Sequence, residues 1–312
     1  MKRSRGFVLV SVMLILVFVA GLGLWLSQSS MFALRLAGNE QRMREARAVA
    51  QAGMEHLLWQ LEESGSCDNY TGLENVSFDG HSYSASVSPD NGSPVRASVQ
   101  ATLDDGQTIY TLLRESQPVY QAPQSLELPV GDDTYIDGSA ANSGKNYGST
   151  KYYQVGWDDS AEQAALLQIE TDDLPDGARI ESAVLTFQTT SLSLDSLFSG
   201  NTVSLTVHRI RESWSEGDVT YEEGDDSWDW PLVYDPDPAG SIDVKVSIIA
   251  KEQELDVTRL VQDWVNGTYP NYGLTIRAAE GEGNVSIGSD ESTLLNAPAL
   301  SVVYRCECGH DC

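Results

Sequence analysis

The sequence predicts an α+β protein with a long N-terminal helix and a small antiparallel sheet, followed by an all-β jelly-roll sandwich with one short helix. Residues 7–32 carry no charge, and residues 33–63 continue without Pro and with good helix formers. Short β-rich runs divided by Gly, Pro and Asp then recur over residues 132–304. With 312 residues, the chain is long enough for two soluble domains beside the helix.

Residues 7–32 predict a membrane-spanning helix. At a rise of about 1.5 Å per residue the run exceeds the roughly 30 Å hydrocarbon core of a bilayer. Lys2, Arg3 and Arg5 precede it and predict a cytoplasmic N-terminus, so the remaining chain is expected to be exported. A cleaved secretory signal is disfavoured because its apolar region is shorter and ends in an Ala-x-Ala-like site.

Residues 33–63 are predicted to continue the same helix outside the membrane. Apolar or small side chains recur at helical spacing and form one stripe, with Arg and Glu elsewhere. The stripe consists of Leu36, Met43, Ala46, Ala50, Gly53 or Met54, Leu57 and Leu61.

The N-terminal residues resemble a type IV prepilin. A short basic leader ends in Gly6, Phe7 opens the apolar helix, and residues 37–46 (AGNEQRMREA) resemble the helix of PilX-like minor pilins. The resemblance covers about the first fifth of the chain and implies cleavage between Gly6 and Phe7, with other pilin subunits and the inner membrane as partners. Ser11 stands where major pilins carry Glu, which favours a minor, tip or priming subunit. A secretion-system pseudopilin is the alternative.

The charge is distributed unevenly. The first 63 residues hold seven Lys or Arg against five Glu, so the net charge of −27 arises from residues 64–312. Such acidity disfavours nucleic acid as a partner and favours solubility or uptake of divalent cations.

Four cysteines, Cys67, Cys306, Cys308 and Cys312, predict disulfides in an exported chain. The pairing stays open: Cys67 joins a C-terminal cysteine, or Cys312 pairs with one of the other two. A zinc site in which His310 joins the three C-terminal cysteines is the alternative.

Residues 64–116 predict a small β segment of a pilin head. Residues 81–88, 95–103 and 108–114 alternate in character, and hairpin turn signals separate them. Three Pro residues in 117–130 predict a linker.

Residues 131–305 predict the jelly-roll domain, and residues 306–312 a Cys-rich tail. Strands are predicted at 152–155, 166–169, 182–187, 203–208, 244–249, 274–277 and 300–304. Asp256 is predicted to cap one short helix that carries Leu260, Val261 and Trp264 on one face and ends before Gly267.

Ordered blocks across this domain resemble the DNRLRE family. They include Asp133–Ile136, Asn146–Ser149, Leu174–Leu185, Leu255–Gly267 and Ala297–Leu300. The resemblance implies a jelly-roll carbohydrate-binding module. The chain departs from it at residues 164–169 and 288–292, where two expected Arg residues are missing.

The glycan-binding candidates are four cations and two aromatic residues, since exposed rings stack on apolar sugar faces. They are Lys145, Lys151, Arg209, Arg277, Trp228 and Trp230. For Arg209 and Arg277, each in a predicted strand, a structural ion pair is the favoured interpretation.

Asp132, Asp133, Asp158 and Asp159 are weak calcium candidates, because carboxylates are the ligands that Ca²⁺ prefers and no EF-hand spacing occurs. No His-centred pair, Gly-x-Ser-x-Gly or His-Glu-x-x-His pattern is present, so the sequence predicts a non-enzyme. The function predicted is a minor pilin-like surface protein with a glycan-binding module. The alternative is a membrane-tethered polysaccharide-active protein.

Overall fold

The computed structural model describes residues 5–104, 106, 109–158, 161–191, 202–221, 233–280 and 283–309. The chain forms two compact units, Met1–Val119 and Tyr120–Cys312. The first unit combines one long helix with four strands, the second unit is β-rich, and each has its own buried core.

The first unit begins with helix α1, which spans Arg5–Ser64 without interruption. It ends at Gly65, whose φ of 53° suits a left-handed helix end. The predicted membrane span at residues 7–32 is not supported, since no helix in the described part of the chain is long and apolar enough to cross a bilayer. Between residues 12 and 26, large apolar side chains such as Leu14, Phe18 and Trp25 are more than half exposed.

The C-terminal half of α1 packs on an antiparallel sheet of four strands in sequence order. They are β1 (Leu73–Phe78), β2 (His81–Ser88), β3 (Val95–Thr102) and β4 (Ile109–Gln117). Three of them were predicted and β1 was not. Strand β1 pairs regularly with β2 only over Val76–Phe78, because the register shifts between Leu73 and Val76 and Asn75 has a φ of 48°.

The apolar stripe of α1 is buried only from Ala46 onward. Ala50, Met54 and Leu57 lie against the sheet, whereas Met43, one turn earlier, is 49% exposed. Gly53 is buried against the Tyr83 ring, and a Cβ there would lie 2.7 Å from that ring, so a larger residue would push the helix away from the sheet.

The second unit contains ten strands and one helix in its described part. The strands are β5 (Gln124–Asp137), β6 (Tyr152–Asp158), β7 (Ala161–Ile169), β8 (Arg179–Thr190), β9 (Thr202–Arg209), β10 (Gly240–Lys245), β11 (Lys251–Asp256), β12 (Leu274–Ala278), β13 (Val285–Gly288) and β14 (Ala299–Arg305). Helix α2 spans Thr258–Val265. The predicted linker at 117–130 therefore includes the start of β5.

Two strands join the halves of a sandwich. The first part of β5 pairs with β14 and, after a register shift between Val130 and Asp133, its second part pairs with β7. Likewise β6 pairs with both β13 and β7. One half orders as β10-β9-β12-β7, and the other contains β14, β8, β13 and β11.

Strand β7 is buried on both faces. Ala165, Leu167 and Ile169 point into the main core, which also receives Leu260, Val261 and Trp264 of α2 as predicted. Ala164 and Leu166 join a second, smaller core under residues 210–221 and 233–234. The outer face of this half of the sandwich is thus partly covered.

Strand β10 begins and ends four residues earlier than predicted. The sequence predicted a strand at 244–249, but pairing stops at Lys245, opposite the first residue of β9, Thr202. Ile248 and Ile249 beyond it are 51% and 72% exposed.

Candidate functional site

A groove lies beside helix α2 in the second unit. One part, with a volume of about 250 Å³, is lined by Arg209, Asp235, Asp237, Pro238, Ala239, Arg259, Leu260, Asp263 and Tyr269. A second part of about 430 Å³ shares Ala239, Arg259 and Asp263 with the first and continues past Thr258 and Gln262. The two cavities therefore form one groove along the helix, which we call the α2 groove.

Local structure fixes the side of the α2 groove that the helix provides. The N-cap residue of α2 is Val257 and not Asp256 as predicted, but an Asp256 carboxylate oxygen accepts the Thr258 backbone N–H at 2.8 Å. The Thr258 hydroxyl accepts the Ala183 N–H at 2.9 Å. The Thr258 hydroxyl and the Thr258 backbone N–H both donate to the Asp256 carboxylate, and these two hydrogen bonds lower the pKa of Asp256. The first turn of α2 is thereby held on β8, and Arg259 and Asp263, one turn apart, face the groove.

Arg209 and Tyr269 form the opposite end of the α2 groove. The Arg209 guanidinium donates to an Asp235 carboxylate oxygen at 3.0 Å and lies 3.9 Å above the centre of the Tyr269 ring. Tyr269 remains 41% exposed. The groove thus offers an aromatic ring beside both donors and acceptors, the combination that recognises a sugar.

Arg277 lies in a separate cluster on the outer face of the same sheet. Its guanidinium is paired with the Glu162 carboxylate of β7 and stacks 4.1 Å from the Tyr234 ring centre. His208 packs edge-on against that ring at 5.3 Å and contacts the Asp235 backbone oxygen at 2.8 Å. Burial lowers the pKa of His208, so a neutral ring suits this site.

The other predicted glycan contacts do not lie together with these residues. Lys145 and Lys151 are exposed, and the Lys145 ammonium donates to the Asn142 side-chain oxygen at 2.5 Å. Neither Lys lines the α2 groove. Trp228 and Trp230 lie outside the described residues.

Of the four predicted calcium ligands, Asp133 enters a carboxylate cluster. One ligand oxygen from each of Asp133, Asp290 and Glu291 lies within 4.8 Å of the others, in the described part of the chain. Burial, together with the charges of Asp290 and Glu216, raises the pKa of Asp133 to about 6. Asp132 is exposed. The side chain of Asp158 and the whole of Asp159 lie outside the part of the chain that the structure describes.

The described cysteines favour the disulfide prediction over the zinc alternative. Cys67, Cys306 and Cys308 are disulfide-bonded, and the described chain has no free cysteine. Cys312 and His310 lie outside the described residues, so the pairing stays a prediction.

Comparison with known families identifies the second unit. Residues 124–304 match the model of carbohydrate-binding module family 96. The chain belongs to carbohydrate-binding module family 96. The family model that matches is not the DNRLRE family that was expected from the sequence. The match does confirm the class that this resemblance implied, a carbohydrate-binding module. Residues 5–55 match the PilX N-terminal family, which confirms the pilin likeness of α1.

Two solved structures resemble the family 96 chain weakly. Both contain the CBM51-2 and INT domains of ZmpB from Clostridium perfringens, one of them with GlcNAc. Identities are 10% and 9%, and TM-scores are 0.16 and 0.18. The matches cover 73% of this chain, which spans 41% of those chains. No curated protein matches the chain.

Most residues of the α2 groove were not predicted from the sequence. Tyr269 and Arg259 were not singled out, because no local pattern distinguishes them from surface residues. Asp290 and Glu291 lie in the stretch that departs from the DNRLRE pattern, and that departure was the available signal. It was interpreted as a missing cation, whereas the structure places both carboxylates beside Asp133.

Proposed function

We propose that this protein is a minor type IV pilin-like surface protein whose family 96 module binds a glycan without hydrolysing it. The observation that carries the proposal is the pair of family matches in one chain, a PilX N-terminal region at 5–55 and a carbohydrate-binding module at 124–304. Carbohydrate-binding modules attach a protein to a polysaccharide and do not cleave it. The combination therefore fits adhesion by a filament or by its base.

The exposed apolar part of α1 supports assembly with other subunits. Side chains between residues 12 and 26 are apolar all round the helix and largely exposed. A helix with this pattern is stable only when apolar neighbours surround it. In our proposal the equivalent helices of other pilin subunits provide that surrounding.

We assign glycan binding to the α2 groove. Tyr269 offers a ring for an apolar sugar face, Arg259 offers hydrogen-bond donors, and Asp237 and Asp263 accept hydrogen bonds from hydroxyls. Arg209 is already paired with Asp235. Because four carboxylates, those of Asp235, Asp237, Asp256 and Asp263, face two guanidinium groups in the groove, a neutral glycan is the favoured ligand.

Glycan-array binding of the full chain, kept soluble by a mild detergent, tests the proposal. Tyr269→Ala and Arg259→Ala should each weaken binding by about tenfold or more, the effect of losing a central contact of about 1.4 kcal/mol. Lys251→Ala, which removes an exposed cation of β11 outside the groove, is the matched control and should bind like the native chain.

Two outcomes would count against the proposal. If Lys145→Ala/Lys151→Ala abolished binding and the groove variants did not, the α2 groove would be the wrong surface. If no glycan bound in any condition, the module would have a structural role in the filament, and adhesion through this domain would be rejected.

A further inference from the structure

A cluster of carboxylates that is not part of the α2 groove lies where β5 resumes its pairing after the register shift. Asp133 lies on β5 just after the register shift, while Asp290 and Glu291 lie in the loop that follows β13. The loop is anchored there, because the Ser289 hydroxyl donates to the Thr150 oxygen at 2.6 Å and the Asp290 N–H donates to an Asp133 carboxylate oxygen at 3.2 Å.

Buried carboxylate oxygens in this cluster lack a partner. Asp133 is only 1% exposed, and its second carboxylate oxygen, Oδ1, is buried without any hydrogen bond. The same holds for Oε2 of Glu291, and the buried Tyr153 hydroxyl beside Asp133 supplies no counter-charge. Taking a carboxylate out of water without a counter-charge costs several kcal/mol, and here a second and third carboxylate add repulsion.

We propose that Asp133, Asp290 and Glu291 bind a divalent cation, Ca²⁺, that ties β5 to the loop after β13. Oxygens on opposite sides of a bound Ca²⁺ are separated by about 4.6–5.2 Å, because each lies 2.3–2.6 Å from the ion. The three ligand oxygens here lie within 4.8 Å of one another, so an ion fits between them without a rearrangement of the backbone. The Asp133 and Glu291 oxygens without partners then become ligands.

The donor set selects the metal. All three side chains offer carboxylate oxygens, and none offers the nitrogen or sulfur that Zn²⁺ prefers. Two of the three ligands lie in a loop, and irregular oxygen cages of this kind suit Ca²⁺ better than Mg²⁺, which demands a near-ideal octahedron. Glu216 carries a further carboxylate near Asp290 and Glu291, and their charges, after burial, help to raise its pKa.

Thermal unfolding of the full chain in mild detergent, with CaCl2, MgCl2 or EDTA, tests the site. Calcium at a hundredfold excess over its Kd should raise Tm by roughly 5–10 °C, with a smaller effect of magnesium. The variant Asp290→Asn/Glu291→Gln should lose this response. In EDTA it should be at least as stable as the native chain, because the repulsion among the carboxylates is relieved. Glu280→Gln, which removes an exposed carboxylate elsewhere, should keep the native calcium response.

A second variant covers the case in which the double variant misfolds. Glu291→Lys places a fixed ammonium among the carboxylates and should give calcium-independent stability. As an independent readout, Tb³⁺ bound in place of Ca²⁺ should emit when tyrosine is excited, and Tyr153→Phe should reduce that emission. An unchanged Tm in calcium, or a calcium response that survives in both the double variant and Glu291→Lys, would overturn the proposal.

Discussion

Replacing Arg277 by Met should destabilise the second unit, because the carboxylate of Glu162 then loses its ion-pair partner. The Arg277 and Glu162 side chains are 16% and 6% exposed, and they join β12 to β7 across the outer face of the sheet. Met keeps most of the side-chain volume and removes the charge. The main loss of folding free energy therefore comes from the Glu162 carboxylate, which stays buried without the Arg277 guanidinium.

The magnitude follows from the burial of the pair. Removing one partner of a fully buried ion pair costs about 3–5 kcal/mol. Arg277 is partly open to water and Glu162 keeps other contacts, so we expect a value near the lower end, about 3 kcal/mol. For a unit of this size the loss lowers Tm by roughly 6–12 °C.

Urea unfolding of the full chain, with the Arg277→Met/Glu162→Gln double variant beside the single one, measures this effect. The double variant should regain at least half of the loss, because no uncompensated charge remains. Lys245→Met, on an exposed position of β10, should lie within about 0.5 kcal/mol of the native chain. If the single variant were as stable as native, or the double variant no better than the single, the ion pair would not have the role that we assign to it.

Three further outcomes are expected. N-terminal sequencing of the mature protein should begin directly after Gly6, and a start at Met or beyond the apolar run would reject the pilin assignment. Asp256→Ala should cost about 0.5–1 kcal/mol at neutral pH, because an N-terminal hydrogen bond of α2 is lost. Since hydrogen bonds from Thr258 lower the pKa of Asp256, the stabilisation is complete above the unfolded pKa and disappears as pH falls through the folded one. Urea unfolding from pH 7 to pH 3 should therefore show the two chains converging, and a constant difference would contradict this cause. Gly273→Ala should cost at least about 1–2 kcal/mol in thermal unfolding, because its φ is 82° and a Cβ would meet the Leu167 backbone oxygen at 2.3 Å; a native Tm would refute this.

Elements whose own sequence shows a clear periodicity could be predicted. Elements that form because they pair with a neighbouring strand could not. Helix α2 repeats Leu260, Val261 and Trp264 at helical spacing before Gly267, so its position was clear from the sequence. Strand β11 (KEQELD) has one buried apolar residue, Leu255, and is a strand because it pairs along β8. Its own pattern contains too little alternation to reveal that pairing.

The same distinction applies to the candidate sites. Arg209 and Arg277 were found because each lies in a strand with a strong β pattern, and the favoured interpretation of an ion pair agrees with their contacts. The acidic cluster joins Asp133 to Asp290, which are 157 residues apart. No spacing rule links residues at that distance, so only the sandwich topology could bring them together.

The pairing of the arginines limits the ligand. Arg209, Arg277 and Arg305 have side chains that are only 13–16% exposed, and each is held by a carboxylate. Guanidinium groups used in this way have little capacity left for an anionic polymer, and the rest of the unit is strongly acidic. A uronate-rich chain would therefore be repelled unless a bound cation reversed the local charge, whereas a neutral glycan meets no such barrier. For this reason, glycan binding that requires calcium would indicate an acidic ligand, and binding that survives chelation would indicate a neutral one.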